Sequence, residues 1–463
     1  MANGETDAAT AHVWTALGGP AELLGAVSYA PSSGVPAARL PVRELARATV
    51  GVASLAAAEL GARRAGGAVP AVRVDEAAVA TAFHSERHVR IDGRKPTSFA
   101  PLSGFWRAAD GWVRTHANYP HHRARLLAAL GLPDGGETDA LVERLSAELA
   151  TRPARWIQET VYAAGGLAVA VLERGNPEIP PTGIPLTELP LIESRRVGEG
   201  APRPLPEAPL PASGVRVLDL TRVLAGPVAT RTLALLGADV LRIDSPRLPE
   251  DPDLHADTGF GKRSAQLDLG DPSDRRAFDD LLARADVVVT GYRPGALDRY
   301  GLAPDDLLER HPGLVVAQVC AWGWSGPWAA RRGFDSLVQA ATGIAAIEAG
   351  PDGSPGVLPA QALDHGTGYL LAAAVLRALA ERHETGGGRH LRFSLAGTAS
   401  WLTHGITPAA VDGAPYDPEP HLAETPAPYG QLRYARSPIT YAGRPLDWAR
   451  PPGQWGTDAP RWL

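Results

Sequence analysis

A run that begins at Val215 constrains this chain more than any other feature. Val215-Arg216-Val217-Leu218-Asp219-Leu220 is a short apolar stretch suited to a buried strand. Ala225-Gly226-Pro227 then opens Val228 to Leu236, which has helical spacing and is closed by Gly237. Asp239-Val240-Leu241-Arg242-Ile243-Asp244 follows as a second strand. The pattern continues with a strand from Ser264 to Leu269, a helix from Ser273 to Ala283, and strands from Asp286 to Thr290 and Leu314 to Cys320. Such alternation requires a parallel sheet covered on both faces, with a ligand at the carboxyl ends of its strands.

At 463 residues the chain is too long for one ordinary core. The first half reads as more helical, with Val42 to Arg64, His122 to Ala129, Glu137 to Leu149 and Arg155 to Ala163 as helices. A hairpin is expected where Gly104-Phe105-Trp106-Arg107 and Gly111-Trp112-Val113-Arg114-Thr115 flank Ala109-Asp110. Prolines from Pro177 to Pro211 forbid a continuing helix or central strand. The expected fold class is therefore α/β, a Rossmann-like parallel sheet domain plus a smaller α+β domain. The expected division is an N-terminal extension over 1–44, a helix-rich region over 45–200 and a Pro-rich linker over 201–212. The Rossmann-like domain then occupies 213–402, and a Pro- and Trp-rich tail of no legible role 403–463.

An internal repeat joins the halves. Leu55-Ala56-Ala57-Ala58, Ala62-Arg63-Arg64, Gly66-Gly67 and Val72-Arg73-Val74 match Leu371-Ala372-Ala373-Ala374, Glu381-Arg382, Gly386-Gly387-Gly388 and Leu391-Arg392-Phe393. Both copies read as an Ala-rich helix, a glycine turn and a strand.

A net charge of −6 gives no general attraction to nucleic acid or to an anionic membrane. Lys95 and Lys262 are the lysines, so arginine carries nearly all the positive charge. The single cysteine, Cys320, excludes an intrachain disulfide and a redox CxxC pair and fits a reducing cytoplasm. The start of the chain has no apolar core of signal-peptide type, and apolar stretches such as Leu167 to Leu172 are shorter than a spanning helix needs. A soluble, cytoplasmic protein is expected. The histidines, His121-His122 among them, lack ligand spacing and read as surface residues, with no metal site.

The first strand–helix turn offers only Gly226, followed at once by Pro227, so the three-glycine approach to a dinucleotide pyrophosphate is absent. What remains at the strand ends is Thr221-Arg222-Val223, Gly261-Lys262-Arg263, Tyr292-Arg293-Pro294-Gly295 with Arg299, Gly323-Trp324-Ser325-Gly326-Pro327, and Leu363-Asp364-His365-Gly366-Thr367-Gly368. Lys262, Arg263 and Arg299 supply local positive charge suited to a phosphorylated ligand. Asp364 precedes an Ala- and Leu-rich helix and on its own reads as a helix cap.

In this order and at these separations, the segments from residue 215 to about 402 resemble the family III CoA-transferases, which are related to acyl-CoA racemases. The resemblance implies that Asp364 is a nucleophile, attacking an acyl-CoA to give a mixed anhydride and, after exchange, an aspartyl-CoA thioester. It implies Arg222, Val223, Lys262, Arg263, Arg299 and Gly366 as residues that hold the CoA ester. Gly366 and Gly368 would leave room for the acyl group, and the amides of the helix start would steady an oxyanion. Coenzyme A enters as acyl-CoA substrate, a carboxylic acid is the acceptor, and no permanently bound cofactor is implied.

The related racemases place a histidine where this chain has Phe334, in Gly333-Phe334-Asp335, and phenylalanine moves no proton. A racemase, or a CoA-ester-binding subunit without turnover, is the alternative. Residues of about 45 to 200 resemble the later part of a family member, so the halves stand in permuted order. By alignment of the repeat, the first copy carries Ala48 where the second has Asp364, which implies one active site per chain. The resemblance also implies a homodimer, interlocked in the family, with the site between a large domain of one subunit and a smaller domain of the other.

Overall fold

The computed structural model describes residues 7–35, 38–97, 99–173, 183–409, 413–441 and 444–463. The first six residues of the N-terminal extension and the start of the Pro-rich stretch, with Pro177, Pro180 and Pro181, lie outside them.

Seven strands form the main sheet: β1 (Glu193–Val197), β2 (Arg216–Leu220), β3 (Asp239–Asp244), β4 (Arg263–Gln266), β5 (Val287–Thr290), β6 (Val315–Cys320) and β7 (Gly388–Ser394). Their order is β4-β3-β2-β5-β6-β7-β1, parallel throughout except for β1, which runs antiparallel on β7. Successive residues of a strand point to opposite faces, and β2 obeys this: Val217 enters one apolar cluster and Leu218 the other. On the first face lie the helices α1 (Val42–Ala65), α2 (Ala225–Leu235), α3 (Asp335–Ala341) and α4 (Ala362–Thr385). The second face is covered by the helices Pro272–Leu282 and Pro304–Arg310, through Phe278, Leu281, Leu282, Leu307 and Leu308.

The smaller domain is α+β. Strands Phe105–Arg107, Trp112–Thr115 and Ala168–Ala170 form an antiparallel sheet. The helices Pro120–Ala129, Thr138–Ala150 and Ala154–Ala163 close a separate core of Leu126, Leu127, Leu141, Leu145, Ile157 and Val161 over it. Asp110, at the hairpin turn, accepts the Ala154 N–H at 2.7 Å and so fixes the hairpin to the start of the last helix.

The repeat is built as two matching units. Helices α1 and α4 each have 24 residues, start after a residue with ψ near 60° (Pro41 57°, Gln361 63°) and end at a glycine of positive φ (Gly66 64°, Gly386 65°). Each is followed by a strand and a short helix capped by a side chain, Asp75 in one and Ser394 in the other. The two helices run side by side in the same direction, with Leu45 against Gly366 and Glu59 bonded to Arg377. Counted from the matched helix starts, the counterpart of Asp364 is Glu44 rather than Ala48. The LeuAlaAlaAla match misplaces it because Ala-rich helices align well in several registers. Glu44 carries no free carboxylate: it pairs with Arg43 at 3.2 Å and accepts the Ala409 N–H at 3.1 Å. By length and composition α1 could cross a membrane, but 94% of its apolar window is buried inside the protein.

The tail, unreadable in the sequence, is structural. Its hairpin, Leu422–Ala427 with Gly430–Ala435, pairs with Arg90–Ile91. Thr457 bridges Ala265 on edge strand β4, and the Trp462 indole enters the second-face core and donates to the Leu281 carbonyl at 3.0 Å. An edge strand that would otherwise offer unpaired backbone groups is thereby covered.

Candidate active site

The chain leaves the central strand β2 toward β3 and β4 on one side, then returns to β5, β6 and β7 on the other. The crevice beyond β2 and β5 is therefore the topological switch point, where open α/β sheets hold ligands. The two loops at this crevice touch. A Cβ on Gly291, after β5, would lie 3.4 Å from the Thr221 Cβ. Thr221 is tied back to Asp219 through its N–H at 3.0 Å. Two residues on, Val223 has φ 71°, the left-handed region, which a β-branched residue enters at a cost of roughly 1–3 kcal/mol.

Asp364 borders this loop. It is the third residue of α4 and is 6% exposed. It does not cap its own helix. The Asp335 carboxylate, at the first position of α3, does so instead, accepting the Asp364 N–H at 3.0 Å and the Leu363 N–H. The expected oxyanion donors at the start of α4 are thus already engaged. The Asp364 carboxyl is near the Ala225 N–H, the first of α2, which favours its charged form, as does the helix dipole there. Burial, followed by the charges of Asp335 and Glu86, nevertheless pushes the Asp364 carboxyl well above the usual carboxylate range. Burial likewise pushes Asp335 up to about 6, against the N–H donors of Asp364 and the Gln339 amide. The two carboxyls form one titrating unit. His365 is fully buried and bonded to Glu86 at 3.1 Å.

Of the residues expected to hold a CoA ester, Arg222 and Val223 stand at the switch point. Arg222 lies over the Tyr119 ring, 5.5 Å from its centroid, and bonds the Leu248 and Pro249 carbonyls and Glu250. Arg299 is exposed on the loop after β5, stacked on Tyr300. The other three have different work. Lys262 is 3% exposed and points inward, with its ammonium 3.1 Å from Asp219 and 3.0 Å from the Pro227 carbonyl. Burial lowers Lys262 to about 8, although Asp219 opposes this. Burial alone would raise Asp219, but Lys262, Arg242 and the Thr221 and Thr230 hydroxyls outweigh it and hold it low. With four donors on the carboxylate, the geometry is that of an ion pair. Arg263 is 5% exposed beneath the tail, bonded to Asp239 at 2.7 Å and to the Arg461 carbonyl. Gly366 leaves no acyl space, because a Cβ there would lie 2.7 Å from Leu45 Cδ2. Gly368 leaves none either: a Cβ would meet the Ala225 carbonyl at 2.6 Å, so both glycines serve close helix packing.

A smaller domain was expected at the site from a partner subunit; here the same chain supplies it, through residues the sequence did not single out. His116 lies flat on Phe334, with ring centroids 3.8 Å apart, and His122 and Tyr119 flank the same ring. His116 and His122 are 4% and 3% exposed, not surface residues. Burial, and then for His116 the charges of His122 and Arg114 and for His122 that of His121, lowers both to about 3, so both rings are neutral at neutral pH. Burial first, and then the charges of Arg125, Arg332 and Arg222, lower His121, and burial followed by the charges of Arg293 and Arg125 lowers Arg332. Both domains come from one chain here, joined also by Arg331 with Glu159 at 2.6 Å and by the Leu172 N–H on the Ala340 carbonyl at 2.9 Å. Among the described residues no group of His, Cys, Asp or Glu is arranged to hold a metal ion.

Residues 212–435 match the model of CoA-transferase family III. This segment, just under half of the chain, is similar to the family III CoA-transferases. The match runs past residue 402 and takes in the hairpin of the tail. Over 332 residues, covering 66% of this chain and 55% of the relative, the protein is 32% identical to the acetyl-coenzyme A transferase nodX of Hypoxylon pulicicidum. It is 37% identical over 189 residues, 38% of this chain and 48% of the relative, to the probable fatty acyl-CoA transferase Rv3272 of Mycobacterium tuberculosis. A crystal structure of the latter matches with a TM-score of 0.40 and 32% identity, over 46% of this chain and 58% of that one. The chain spans about half the length of the curated relatives it matches.

Proposed function

We propose that this protein moves CoA from an acyl-CoA to a carboxylic acid, with Asp364 as nucleophile. The observation that carries the reading is the buried Asp364 carboxyl itself, relieved of capping by Asp335 and near the start of α2 beside the switch-point loop. A carboxylate oxygen of Asp364 attacks the thioester carbonyl carbon, the C–S bond breaks, and CoA leaves as thiolate. The thiolate then attacks the Asp364 carbonyl of the mixed anhydride, releasing the donor acid and leaving an aspartyl-CoA thioester. Attack by the acceptor carboxylate reverses these events and frees Asp364. Arg222, at the switch-point loop, would supply a positive charge to the CoA phosphates.

Because the nucleophile must be ionised, acylation accelerates as pH rises through the raised Asp364 pKa. The smaller domain beside Asp335 comes from the same chain, so the reading includes a site closed within each protomer of a cytoplasmic homodimer. Incubation with acyl-CoA and trapping with hydroxylamine or borohydride is expected to modify the peptide bearing Asp364. Asp364→Asn should abolish the adduct and lower turnover by on the order of 10³-fold or more. An Asp364 peptide left unmodified across a broad acyl-CoA panel would sink the proposal.

A further inference from the structure

The helix that carries Asp364 is gripped at its start by consecutive residues from the other copy of the repeat. Phe83, His84, Ser85 and Glu86 follow the short helix Glu76–Ala82 of the first copy, and each makes its own contact. Phe83 stacks on His365 and on Tyr369 of α4, with ring centroids 5.2 Å and 5.8 Å apart. The His84 ring lies between two carbonyls, Nδ1 2.8 Å from that of Ala80 and Nε2 2.9 Å from that of Pro359, just before α4. The Ser85 hydroxyl donates to Asp257 at 2.8 Å and accepts from Arg231 of α2 at 3.1 Å. Glu86 reaches the His365 Nε2 at 3.1 Å. Burial would raise the Glu86 carboxyl, but the bond and charge of His365 outweigh it and hold it low, so Glu86 is an anion. A carboxylate only accepts, and Nε2 therefore carries the proton. His365 is fully buried, and among the described residues its Nδ1 has no partner, so the hydrogen bonding of this ring rests on Glu86.

We infer that Glu86 is a positioning residue for Asp364, lent by the first copy of the repeat to the second: through His365 it fixes the first turn of α4, and it brings a negative charge into the neighbourhood of the nucleophile. The surroundings of that turn leave few other groups to do this. Asp335 comes from α3 and the Ala225 N–H from α2, while α1 presents the apolar Leu45 and the short helix Leu395–Ser400 the Thr398 hydroxyl, bonded to Thr367 at 2.6 Å. After burial, Asp335 and Glu86 are the charges that disfavour the ionised form of Asp364, and the Ala225 N–H opposes them. Around Glu86 the other titrating groups are His84 and His88 of its own segment, both lowered first by burial, with Arg433 of the tail hairpin acting on His88. Acyl transfer is sensitive to such a hold, because a misplacement of ~1 Å at a reacting group costs on the order of 10²-fold in rate.

The inference rests on the reading of Asp364 as nucleophile, and its first test needs no substrate. Glu86→Gln keeps an acceptor for His365 and removes the charge. The titration midpoint of Asp364 is read in the intact chain from the infrared stretch of its protonated carboxyl, assigned by the loss of that band in Asp364→Asn. In Glu86→Gln it should fall by about half a pH unit or more, since a like charge is gone. The acid limb of the acylation rate, measured with acetyl-CoA, butyryl-CoA and succinyl-CoA, should move to lower pH by the same amount. Glu86→Ala, which removes the bond as well, should lower kcat about tenfold or more with little change in KM, and Glu86→Asp should restore part of it. A clamp that only supports the fold would leave the midpoint where it is. A midpoint unmoved in Glu86→Gln, or an unchanged kcat in Glu86→Ala, would overturn the inference. Were the midpoint to move while a broad acyl-CoA panel left Asp364 unlabelled, the transfer reading would fail and the hold of Glu86 on this carboxyl would stand.

Discussion

Replacing Lys262 by Met separates two roles that the sequence leaves tangled, contact with a phosphorylated ligand and support of the sheet. The ammonium lies 3.1 Å from Asp219, and both side chains are essentially unexposed. At an effective dielectric of ~20 that separation corresponds to about 5 kcal/mol of attraction. Removing one partner of a buried pair typically costs about 3–5 kcal/mol, because the other charge stays behind in a medium that cannot solvate it. Three donors would remain on Asp219, two from Thr221 and one from Thr230, and these hold the cost toward the lower end. For a cooperative unit of ~150–250 residues each kcal/mol moves Tm by about 2–4 °C. Lys262→Met should therefore lower Tm by roughly 6–20 °C, read by near-UV circular dichroism. The double variant with Asp219→Asn should recover most of the loss, since the orphaned charge is gone. The KM for acyl-CoA should change little in the fraction that remains folded. An unchanged Tm with a tenfold higher KM would refute the reasoning and return Lys262 to the ligand.

The Asp335 carboxyl, raised to about 6 from an ordinary 3.8, keeps a proton in the folded state that the unfolded chain has already released. Stability should fall as pH rises from about 4 to about 6, by up to ~3 kcal/mol. Asp335→Asn should make that limb shallower, leaving the part due to Asp364, in urea titrations at successive pH values, and parallel limbs for the two proteins would count against the assignment. Gly368→Ala should cost about 1–3 kcal/mol through overpacking, because the new Cβ meets the Ala225 carbonyl, which is backbone, at 2.6 Å. Gly366→Ala should cost less: the atom it meets is the end of the Leu45 side chain rather than backbone, and alanine favours the helix by about 1 kcal/mol. Equal losses for the two substitutions, measured by Tm, would show that the neighbour does not decide the cost.

Local pattern carried the reading of the parallel strands and of the helices between them, because burial on alternate faces and the 3.6-residue repeat are properties of adjacent residues. The separate smaller domain and the helix–turn–strand repeat were legible for the same reason. Neither Lys262 nor Arg263 could be sorted that way: a cation is a ligand contact or an internal strut according to what covers it, and the covering groups are Asp219 on β2 and the Arg461 carbonyl of the tail. Gly366 likewise reads as space for a substrate until α1 is packed against it. Asp364 was visible as a residue at the start of a helix. Its release from capping depends on Asp335, 29 positions earlier in the chain, which supplies the cap from another helix. His116 follows an ordinary strand, and only the folding of the smaller domain onto Phe334 places it beside that cap. The sequence by itself determined the elements and the chemistry available at their ends. The tertiary structure decided which charges are spent holding the fold and which stand at the crevice, since that depends on neighbours far apart in the chain.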